Sequence, residues 1–423
     1  MMLFAIILFA ATYVLMLALP KYRTYVALVS AACFILSGML PLGKIIESID
    51  FNVLLMISGT MGIVSLFIES KMPARLADLI IARVPNVCWA IIALSLFAGV
   101  ISALVDNVAT VLMVAPVALA VAERLGISPV PMIISIAVSS NLQGAATLVG
   151  DTTSILLGGY AGMNFLDFFV YKGRPSIFFA VELGALLSAV ILYVLFRKED
   201  AKLPEAEKTV VTDYVPTVLL VAMVGLLVCA SFIPNAPSIS NGVICVSLML
   251  IGCVHSCIKK KSAEGLLKPL REIDFGTVLL LLGLFLVIGG ITEQGVIDAL
   301  AGIFARIGSG NVFVIYTLIL WASVVFSAFI DNIPYVATML PVVQGIAAAM
   351  GIDPTVLYFG LLSGATLGGN MTPIGASANI TGIGILRKRG YEVKNSDFFR
   401  IGIPFTLAAV IPAYIYIWLV YGA

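Results

Sequence analysis

Two aspartates, Asp106 and Asp331, have the residue type and the surroundings expected of a binding site inside a membrane. Each lies in the phrase Ser-Ala-x-x-Asp-Asn, and each is the only charged residue of a long apolar tract, between Val84 and Ala122 and between Ile307 and Ala349. A carboxylate in hydrocarbon costs several kcal/mol unless it is paired, hydrated or protonated. Both acids are therefore candidate sites for a cation or a proton.

The two tracts belong to copies of one unit. At an offset of 225 residues, 16 of the 54 residue pairs between 102–155 and 327–380 are identical. Upstream, Ile49-Asp50-Phe51 matches Ile273-Asp274-Phe275 at an offset of 224. A unit of more than about 100 residues is too long for a solenoid repeat. The sequence therefore predicts two related halves, each carrying one of the acids.

The composition excludes an ordinary water-soluble domain and makes the lipid bilayer the partner of this chain. Of its 423 residues, 61% are hydrophobic and 11% are charged, and the mean hydropathy is +1.12. The net charge of +1 creates no field that would recruit nucleic acid. Apolar stretches of about 20 residues can each cross the bilayer as a helix. Such stretches predict spans at 2–19, 22–43, 50–69, 176–196, 216–233, 238–258, 273–292 and 401–421.

Clusters of Lys and Arg predict which loops face the cytoplasm. With these clusters inside, span 50–69 runs inward and its repeat partner 273–292 runs outward, so the two halves are inverted. Lys71, Arg75 and Arg83 on the predicted inner side, against Arg306 on the outer side, agree with this orientation. The clusters are Lys21 and Arg23; Arg197, Lys198, Lys202 and Lys208; Lys259–Lys261, Lys268 and Arg271; and Arg387–Arg389, Lys394 and Arg400.

The topology closes only if the tracts around the two acids do not cross the membrane. Residues 86–122 and 311–349 then form re-entrant hairpins that turn near Asp106 and Asp331. The segments 129–165 and 354–386 cross instead, which gives about ten crossings by span length. Gly, Ser, Thr and Asn interrupt both of these crossings at 141–154 and 368–379. We predict an all-α polytopic membrane protein of two inverted repeats, each with a re-entrant hairpin and a discontinuous helix.

These interruptions indicate where a transported ion or solute would bind. Breaks in a helix free backbone carbonyls and amides, and neighbouring hydroxyl and amide groups add neutral ligands, so a small hard cation such as sodium fits the donor set. Taken singly, a Gly-rich crossing could be a close-packed helix interface, and Asp106 could be a protonated helix cap. The predicted first half-site is Asp106, Asn107, Thr110, Asn141, Thr147, Gly150, Asp151, Thr152 and Ser154. The predicted second half-site is Asp331, Asn332, Asn370, Thr372, Gly375, Ser377 and Asn379.

The predicted organisation has five parts. They are N-terminal scaffold helices (1–48), a first inverted repeat (49–196), a charged cytoplasmic linker (197–215), further scaffold helices (216–272) and a second inverted repeat (273–423). No cofactor is predicted, and sodium is the one candidate metal ion. The cluster Cys253-Val-His255-Ser-Cys257 could suit a soft metal, but the pattern is more typical of small buried residues.

Four motifs resemble those of the ion transporter superfamily, in the branch of arsenite permeases, D-type sodium/proton antiporters and the melanosomal P protein. The resemblance implies a scaffold domain and a transport domain of two hairpins and two broken helices, in a homodimer that moves substrate by an elevator motion. One departure is Gly150-Asp151-Thr152-Thr153-Ser154, where the family pattern has Gly-Asp-Pro-Pro-Asn. The motifs are Ser102–Leu112, Gly144–Asp151, Ser327–Thr338 and Gly368–Asn379.

We therefore predict a secondary active transporter of the inner or plasma membrane. Asp106, Asp151 and Asp331 have no Lys or Arg near them in the sequence, which favours a cation or proton as one transported species. Arsenite export, uptake of a small citrate-like anion and a channel remain alternatives. The apolar tracts contain no catalytic motif, and His255 is the only histidine, so we do not expect an enzyme.

Overall fold

The computed structural model describes residues 1–203, 209–234, 236–307 and 311–422, with the backbone alone at 305–307. The predicted linker 197–215 therefore includes five residues, among them Lys208, that lie outside the described residues. The side chain of Arg306 also lies outside them.

Helices form nearly all of the described structure. In the N-terminal half they are α1 (Met2–Ala18), α2 (Arg23–Leu36), α3 (Ile45–Ser48), α4 (Phe51–Glu69), α5 (Met72–Ile81), α6 (Val87–Ser102), α7 (Asn107–Leu125), α8 (Val130–Gln143), α9 (Thr152–Ala161) and α10 (Ile177–Phe196). In the C-terminal half they are α11 (Val215–Ser231), α12 (Ser240–Lys260), α13 (Glu264–Arg271), α14 (Phe275–Glu293), α15 (Val296–Ile307), α16 (Val312–Ser327), α17 (Asn332–Met350), α18 (Thr355–Gly368), α19 (Ser377–Lys388) and α20 (Asn395–Tyr421). A short antiparallel ribbon joins α9 to α10 and pairs β1 (Val170–Tyr171) with β2 (Arg174–Pro175).

Seven of the described helices, namely α4, α7, α10, α12, α14, α17 and α20, are long and apolar enough to cross a bilayer. The segments Met2–Ala18 and Pro20–Leu36 meet at a bend of 116° and would add an eighth span if they acted as one. The chain is thus a polytopic helical membrane protein, while the total of about ten crossings stays a prediction. The predicted span 22–43 is too long. Its helix ends at Leu36, before Gly38 with a φ of +72° and then Pro41.

The two halves match element by element. Helices α6 and α16 have 16 residues each, α7 and α17 have 19, and α8 and α18 have 14, all at the offset of 225. The same local chemistry sets the bounds in both halves. An Asp side chain caps the start of α7 and of α17, and a glycine with positive φ, Gly126 or Gly351, ends each of them.

Each hairpin packs on both broken helices. Helices α6 and α7 are joined by residues 103–106 and pack against α8, and α16 and α17 pack in the same way against α18. In addition, α7 contacts α19 and α17 contacts α9, so each hairpin reaches the broken helix of the other half. Helices α4 with α12, and α2 with α14, pair around this central group. The fold therefore holds the two hairpin tips beside the two helix breaks.

Contacts between loops connect segments that the sequence predicts on the same side of the membrane. On the predicted cytoplasmic side, the Val87 amide donates to the Ala201 carbonyl at 3.0 Å, and Lys260 pairs with Glu69 at 2.6 Å. On the predicted outer side, Lys172 forms an ion pair with Asp353. The inverted orientation of the halves is consistent with these contacts and stays a prediction.

The linker is held to the end of α12 by Asp213. This carboxylate lies 2.9 Å from Lys259 Nζ and 3.0 Å from His255 Nε2, and it accepts a bond from the Val215 amide at 3.0 Å. Burial raises the pKa of Asp213, but Lys259, the Val215 amide and His255 lower it further, so its net pKa lies below the ordinary value. Asp213 is thus one of several points at which the described part of the predicted linker is attached, another being the Ala201 carbonyl.

The predicted inversion can be tested by labelling two exposed positions, one in the last turn of α7 and one in the loop that follows α17. In a background without native cysteines, Glu123→Cys should react with an impermeant maleimide only from the cytoplasmic side. Asp353→Cys should react only from the outside, because the repeat places the second hairpin in the opposite orientation. The measurement is labelling of right-side-out and inside-out vesicles. Reaction of both cysteines from one side would rule out inverted repeats.

Candidate functional site

The predicted acids lie at the two hairpin tips, where each caps the helix that follows. Asp106 Oδ1 accepts hydrogen bonds from the Val108 and Ala109 amides at 3.0 and 3.2 Å. Asp331 Oδ1 accepts from the Ile333 amide at 3.1 Å. A carboxylate is stabilised at a helix N-terminus by the unpaired amides and the helix dipole. Both acids are therefore helix caps, and both also line the cavity described below.

Backbone carbonyls of each tip meet the break of the adjacent helix at a glycine. A Cβ atom on Gly150 would lie 2.6 Å from the carbonyl oxygen of Gly144, 2.8 Å from that of Ser102 and 3.0 Å from that of Ala103. Only glycine fits such an approach, because a Cβ within 3.0 Å of an oxygen forces a shift. Gly375 repeats this geometry, with three carbonyl oxygens between 2.6 and 2.8 Å, in the second half. Each half thus gathers several carbonyl groups at one buried point of the protein.

Threonine hydroxyls tie the same elements together. Thr147 Oγ1 donates to the Ala103 carbonyl, and Thr372 Oγ1 donates to the Ala328 carbonyl at the equivalent position. These bonds connect the extended backbone that follows the 3₁₀ turns Gly144–Ala146 and Gly369–Met371 to the hairpin tips. Each hairpin and its broken helix therefore form one hydrogen-bonded unit.

A chain of amide side chains links the two halves. Asn107 Nδ2 donates to Asn141 Oδ1 at 3.0 Å, and Asn141 Nδ2 donates to Asn370 Oδ1 at 3.1 Å. Asn370 Nδ2 in turn donates to the Val138 carbonyl at 2.8 Å. All three asparagines are buried. The sequence predicted them as ion ligands. In the structure their side-chain amides form hydrogen bonds that connect the first hairpin to both broken helices.

The second hairpin is linked to the first broken helix through Asp151. Asn332 Nδ2 donates to Asp151 Oδ2 at 3.3 Å, and Thr153 Oγ1 donates to the same oxygen at 2.8 Å. Thr153 stands where the family pattern has a proline, which could not donate this bond. Sequence reasoning did not assign Thr153 to the site, although its departure from the pattern was the available signal.

One cavity of about 670 Å³ reaches the tips of both hairpins. Seven of the sixteen predicted site residues line it, and they are Asp106, Asn107, Asp151, Thr152, Asp331, Asn332 and Ser377. Six carboxylates and two basic side chains line the cavity, a formal excess of four negative charges when all are ionised. These charged residues are Glu69, Asp106, Asp151, Glu272, Asp274 and Asp331, with Arg23 and Lys268. A lining of this kind attracts cations and repels free polyanions.

A recess of about 10 Å³ lies next to Asp106 and Asp151. Its lining also includes Thr60, Gly150 and Thr152. This volume corresponds to roughly one water-sized sphere, and two carboxylates with hydroxyl groups form the oxygen donor set that a small hard cation prefers. Thr60 was not predicted, because a single threonine of span 50–69 has no counterpart in the other repeat, where offset 224 gives Leu284.

The remaining predicted residues do not line the main cavity, although Gly150 lines the recess. Among them, Thr110 Oγ1 and Asn379 Oδ1 are buried and have no hydrogen-bond partner among the described residues. Asn379 Nδ2 donates to the Gly369 and Thr372 carbonyls, both at 3.1 Å, which fixes its amide and leaves the oxygen as a free acceptor. Buried acceptors without donors are uncommon. These two oxygens therefore fit the chemistry of sodium ligands in either half.

The sequence places no Lys or Arg near the three acids, but the fold brings one to Asp331. Arg23, at the start of α2, donates to Asp331 Oδ2 in a direct ion pair. The charge pattern assigned Arg23 to the cytoplasmic surface, but the bend between α1 and α2 brings its side chain to the tip of the second hairpin. The contact spans 308 positions of sequence, so neither the repeat nor the apolar pattern could reveal it.

The glycines at the two breaks can be tested with Gly150→Ala and Gly375→Ala. Each new methyl group overlaps carbonyl oxygens of the hairpin tip, so we expect a loss of about 1–3 kcal/mol in stability and loss of transport. The control is Gly384→Ala on α19, where a Cβ meets nothing within 4 Å. Thermal unfolding in detergent and transport in proteoliposomes measure both effects. Wild-type behaviour of Gly150→Ala would contradict the close approach.

The hydroxyls at the start of α9 should separate into two roles. Thr152 lines the cavity and the recess, whereas Ser154 Oγ donates to the Gly144 carbonyl at 3.2 Å. We expect Thr152→Ala to change ion or solute preference at normal abundance. Ser154→Ala should cost about 0.5–1.5 kcal/mol in stability with preference unchanged. Transport competition profiles beside protein levels in membranes test this, and an unchanged Thr152→Ala profile would remove Thr152 from the binding site.

Comparison with known proteins identifies a family and several relatives of this chain. The sequence model of the CitMHS family, described as citrate transporter, matches residues 13–364. The uncharacterized transporter Rv2685 of Mycobacterium tuberculosis is 32% identical over 430 residues, which cover 100% of this chain and 99% of that protein. The P protein of Sus scrofa is 26% identical over 494 residues, which cover 95% of this chain and 57% of that protein.

A solved structure shares the fold. The YdaH transporter of Alcanivorax borkumensis aligns with a TM-score of 0.57 at 15% identity, over 93% of this chain and 87% of that chain. At this identity the likeness concerns the fold alone. The predicted resemblance to the branch that includes the melanosomal P protein is confirmed.

Proposed function

The chain belongs to the citrate transporter family, and we propose that it is a secondary active transporter whose coupling ion, sodium or a proton, binds between Asp106 and Asp151. It is a multi-pass membrane transporter, which points away from an enzyme. The observation that carries the proposal is the water-sized recess lined by these two carboxylates. Carboxylates in such a place can release a proton as they take a cation, which is the chemistry of exchange.

The charge of the main cavity bears on the substrate. An excess of four carboxylates favours a cation, a proton or a neutral solute such as arsenite, and it disfavours a free tricarboxylate despite the name of the family. We therefore propose exchange of the sodium/proton type or proton-coupled movement of a small solute. Uptake of a small anion is the second candidate, since the starts of α9 and α19, at Thr152 and Ser377, both line the cavity.

A rigid-body movement is the simplest way to expose the recess first to one side of the membrane and then to the other. The two hairpins and two broken helices share the hydrogen bonds described above, while the cavity separates their tips from scaffold residues such as Met61 on α4 and Thr277 on α14. We propose that the hydrogen-bonded group moves against the scaffold, in a homodimer of the inner or plasma membrane, as the family resemblance implies. In this scheme the scaffold comprises the N-terminal helices, the linker-following helices, and α4 and α14.

The proposal is tested by Asp106→Asn. Asparagine keeps the helix cap because its side-chain oxygen accepts the same amide bonds, but it can neither lose a proton nor carry charge. Gradient-driven transport in proteoliposomes should fall to the level of protein-free liposomes, with sodium, lithium, arsenite, citrate and phosphate as the tested species. Transport that needs no imposed pH or sodium gradient would indicate a channel.

The matched control is Asp50→Asn. Asp50 also caps a membrane helix, accepting from the Val53 amide at 3.0 Å, but it does not line the cavity. The Asp50→Asn variant should therefore retain coupled transport. Near-normal coupled transport by Asp106→Asn would show that Asp106 serves only as a helix cap, and equal loss in both variants would indicate a folding effect.

A further inference from the structure

The ion pair between Arg23 and Asp331 joins the scaffold to the second hairpin. Arg23 is the first residue of α2, and Asp331 caps α17. Their side chains are 31% and 19% exposed, so the pair is partly shielded from water. A second bond runs beside it, because Tyr13 on α1 donates its hydroxyl to the Pro334 carbonyl at 3.0 Å. These two contacts thus hold the bend between α1 and α2 against the tip of the second hairpin.

The first hairpin has no such cation. Among the described residues no Lys or Arg forms an ion pair with Asp106, and Lys268, the other basic group on the cavity, lies 3.3 Å from Glu69. The repeat adds a second difference, because Asp151 corresponds to Ala376 at the offset of 225. One half-site therefore holds two carboxylates without a fixed counter-charge, and the other holds one carboxylate with a guanidinium.

The pair also separates two cavities. A second, mostly apolar chamber of about 330 Å³ lies between the α1–α2 bend and the second hairpin. It shares four lining residues with the main cavity, namely Arg23, Asp331, Ser377 and Ile380. The guanidinium and the carboxylate thus stand at the boundary of the two spaces, at the position a cation would need to reach Asp331.

We propose that Arg23 is a built-in cation that occupies the second half-site and restricts cation binding to the first. This inference rests on the proposed function, because it assumes that the first half-site takes the coupling ion. It assigns to Arg23, on the scaffold, a role in setting how many cations are bound in each cycle.

Two physical properties make a guanidinium suited to this role. A guanidinium does not lose its proton in proteins, so a change of pH does not free Asp331 from its partner. It is also covalently held next to Asp331, and a tethered group competes at an effective concentration in the millimolar range or above. Dissolved sodium therefore meets an occupied carboxylate. The site is vacated only when α17 moves away from α2.

Other charged groups around Asp331 do not replace Arg23. From the main cavity, Asp106, Asp151, Asp274 and Glu272 add negative charge, which strengthens the hold on any cation. Lys268 forms an ion pair with Glu69, and the Tyr13 hydroxyl donates to the Pro334 carbonyl. Removal of the guanidinium should therefore leave a carboxylate that recruits a cation from solution.

The test counts sodium ions bound to the purified full-length protein in detergent, by equilibrium binding of radioactive sodium at pH 8.5, with lithium as a competing probe. Arg23→Gln should bind one sodium ion per chain more than wild type. The double variant Arg23→Gln with Asp331→Asn should return to the wild-type number, because the freed carboxylate is gone. Arg83→Gln is the control, since Arg83 is exposed and does not line the cavity.

An unchanged sodium count in folded Arg23→Gln, judged by gel filtration and thermal unfolding, would overturn the proposal. If that variant does not fold, Arg23→Lys retains the ion pair and should match wild type, and an extra sodium ion bound to it would equally overturn the proposal. Failure of the proposed function looks different. If the proposed function is wrong, wild type binds no cation and shows no gradient-driven transport, whereas Arg23→Gln can still gain one ion over wild type.

Discussion

Inside hydrocarbon, every backbone group that a broken helix releases needs a hydrogen-bond partner from the protein. Here part of that need is met within the broken helices, where Ser154 Oγ donates to the Gly144 carbonyl and Asn379 Nδ2 donates to the Gly369 and Thr372 carbonyls. The breaks in turn satisfy the hairpin tips, because Thr147 Oγ1 donates to the Ala103 carbonyl and Thr372 Oγ1 donates to the Ala328 carbonyl. Separating them would leave buried polar groups unpaired at a cost of about 1–3 kcal/mol each. We therefore expect a hairpin and its broken helix to move only together.

The same constraint extends across the two halves and defines what can move. The bonds from Asn141 to Asn370 and from Asn332 to Asp151 join the four elements into one body. The main cavity lies between this body and the scaffold helices. The Arg23 ion pair crosses that boundary at the second hairpin only. A movement that exposes the recess must therefore either break this pair or carry α2 along with α17.

Much of the fold could be read from the sequence because local chemistry repeats with it. The offset of 225 predicted both hairpins, both breaks and the acids at the tips, since caps such as Asp106 and C-terminal glycines such as Gly126 set helix bounds without tertiary information. Span 22–43 was overestimated because hydropathy does not detect a turn made of apolar residues. The ion pair of Arg23 and the position of Thr60 had no repeat partner. Only the packing of distant helices reveals them.

The two half-sites share a backbone and differ in charge, and the difference has a physical reason. If Ala376 were an aspartate like Asp151, two equivalent sites would place four carboxylates around one cavity already lined by other acids. Like charges at such separations repel one another more strongly in a partly buried site than in water. A guanidinium relieves this repulsion without being carried away with the substrate, because it belongs to the scaffold. The repeat thus supplies two equivalent backbone frames, and Arg23 makes them unequal. In the proposed mechanism one frame exchanges its cation, and the other is neutralised by the side chain of Arg23.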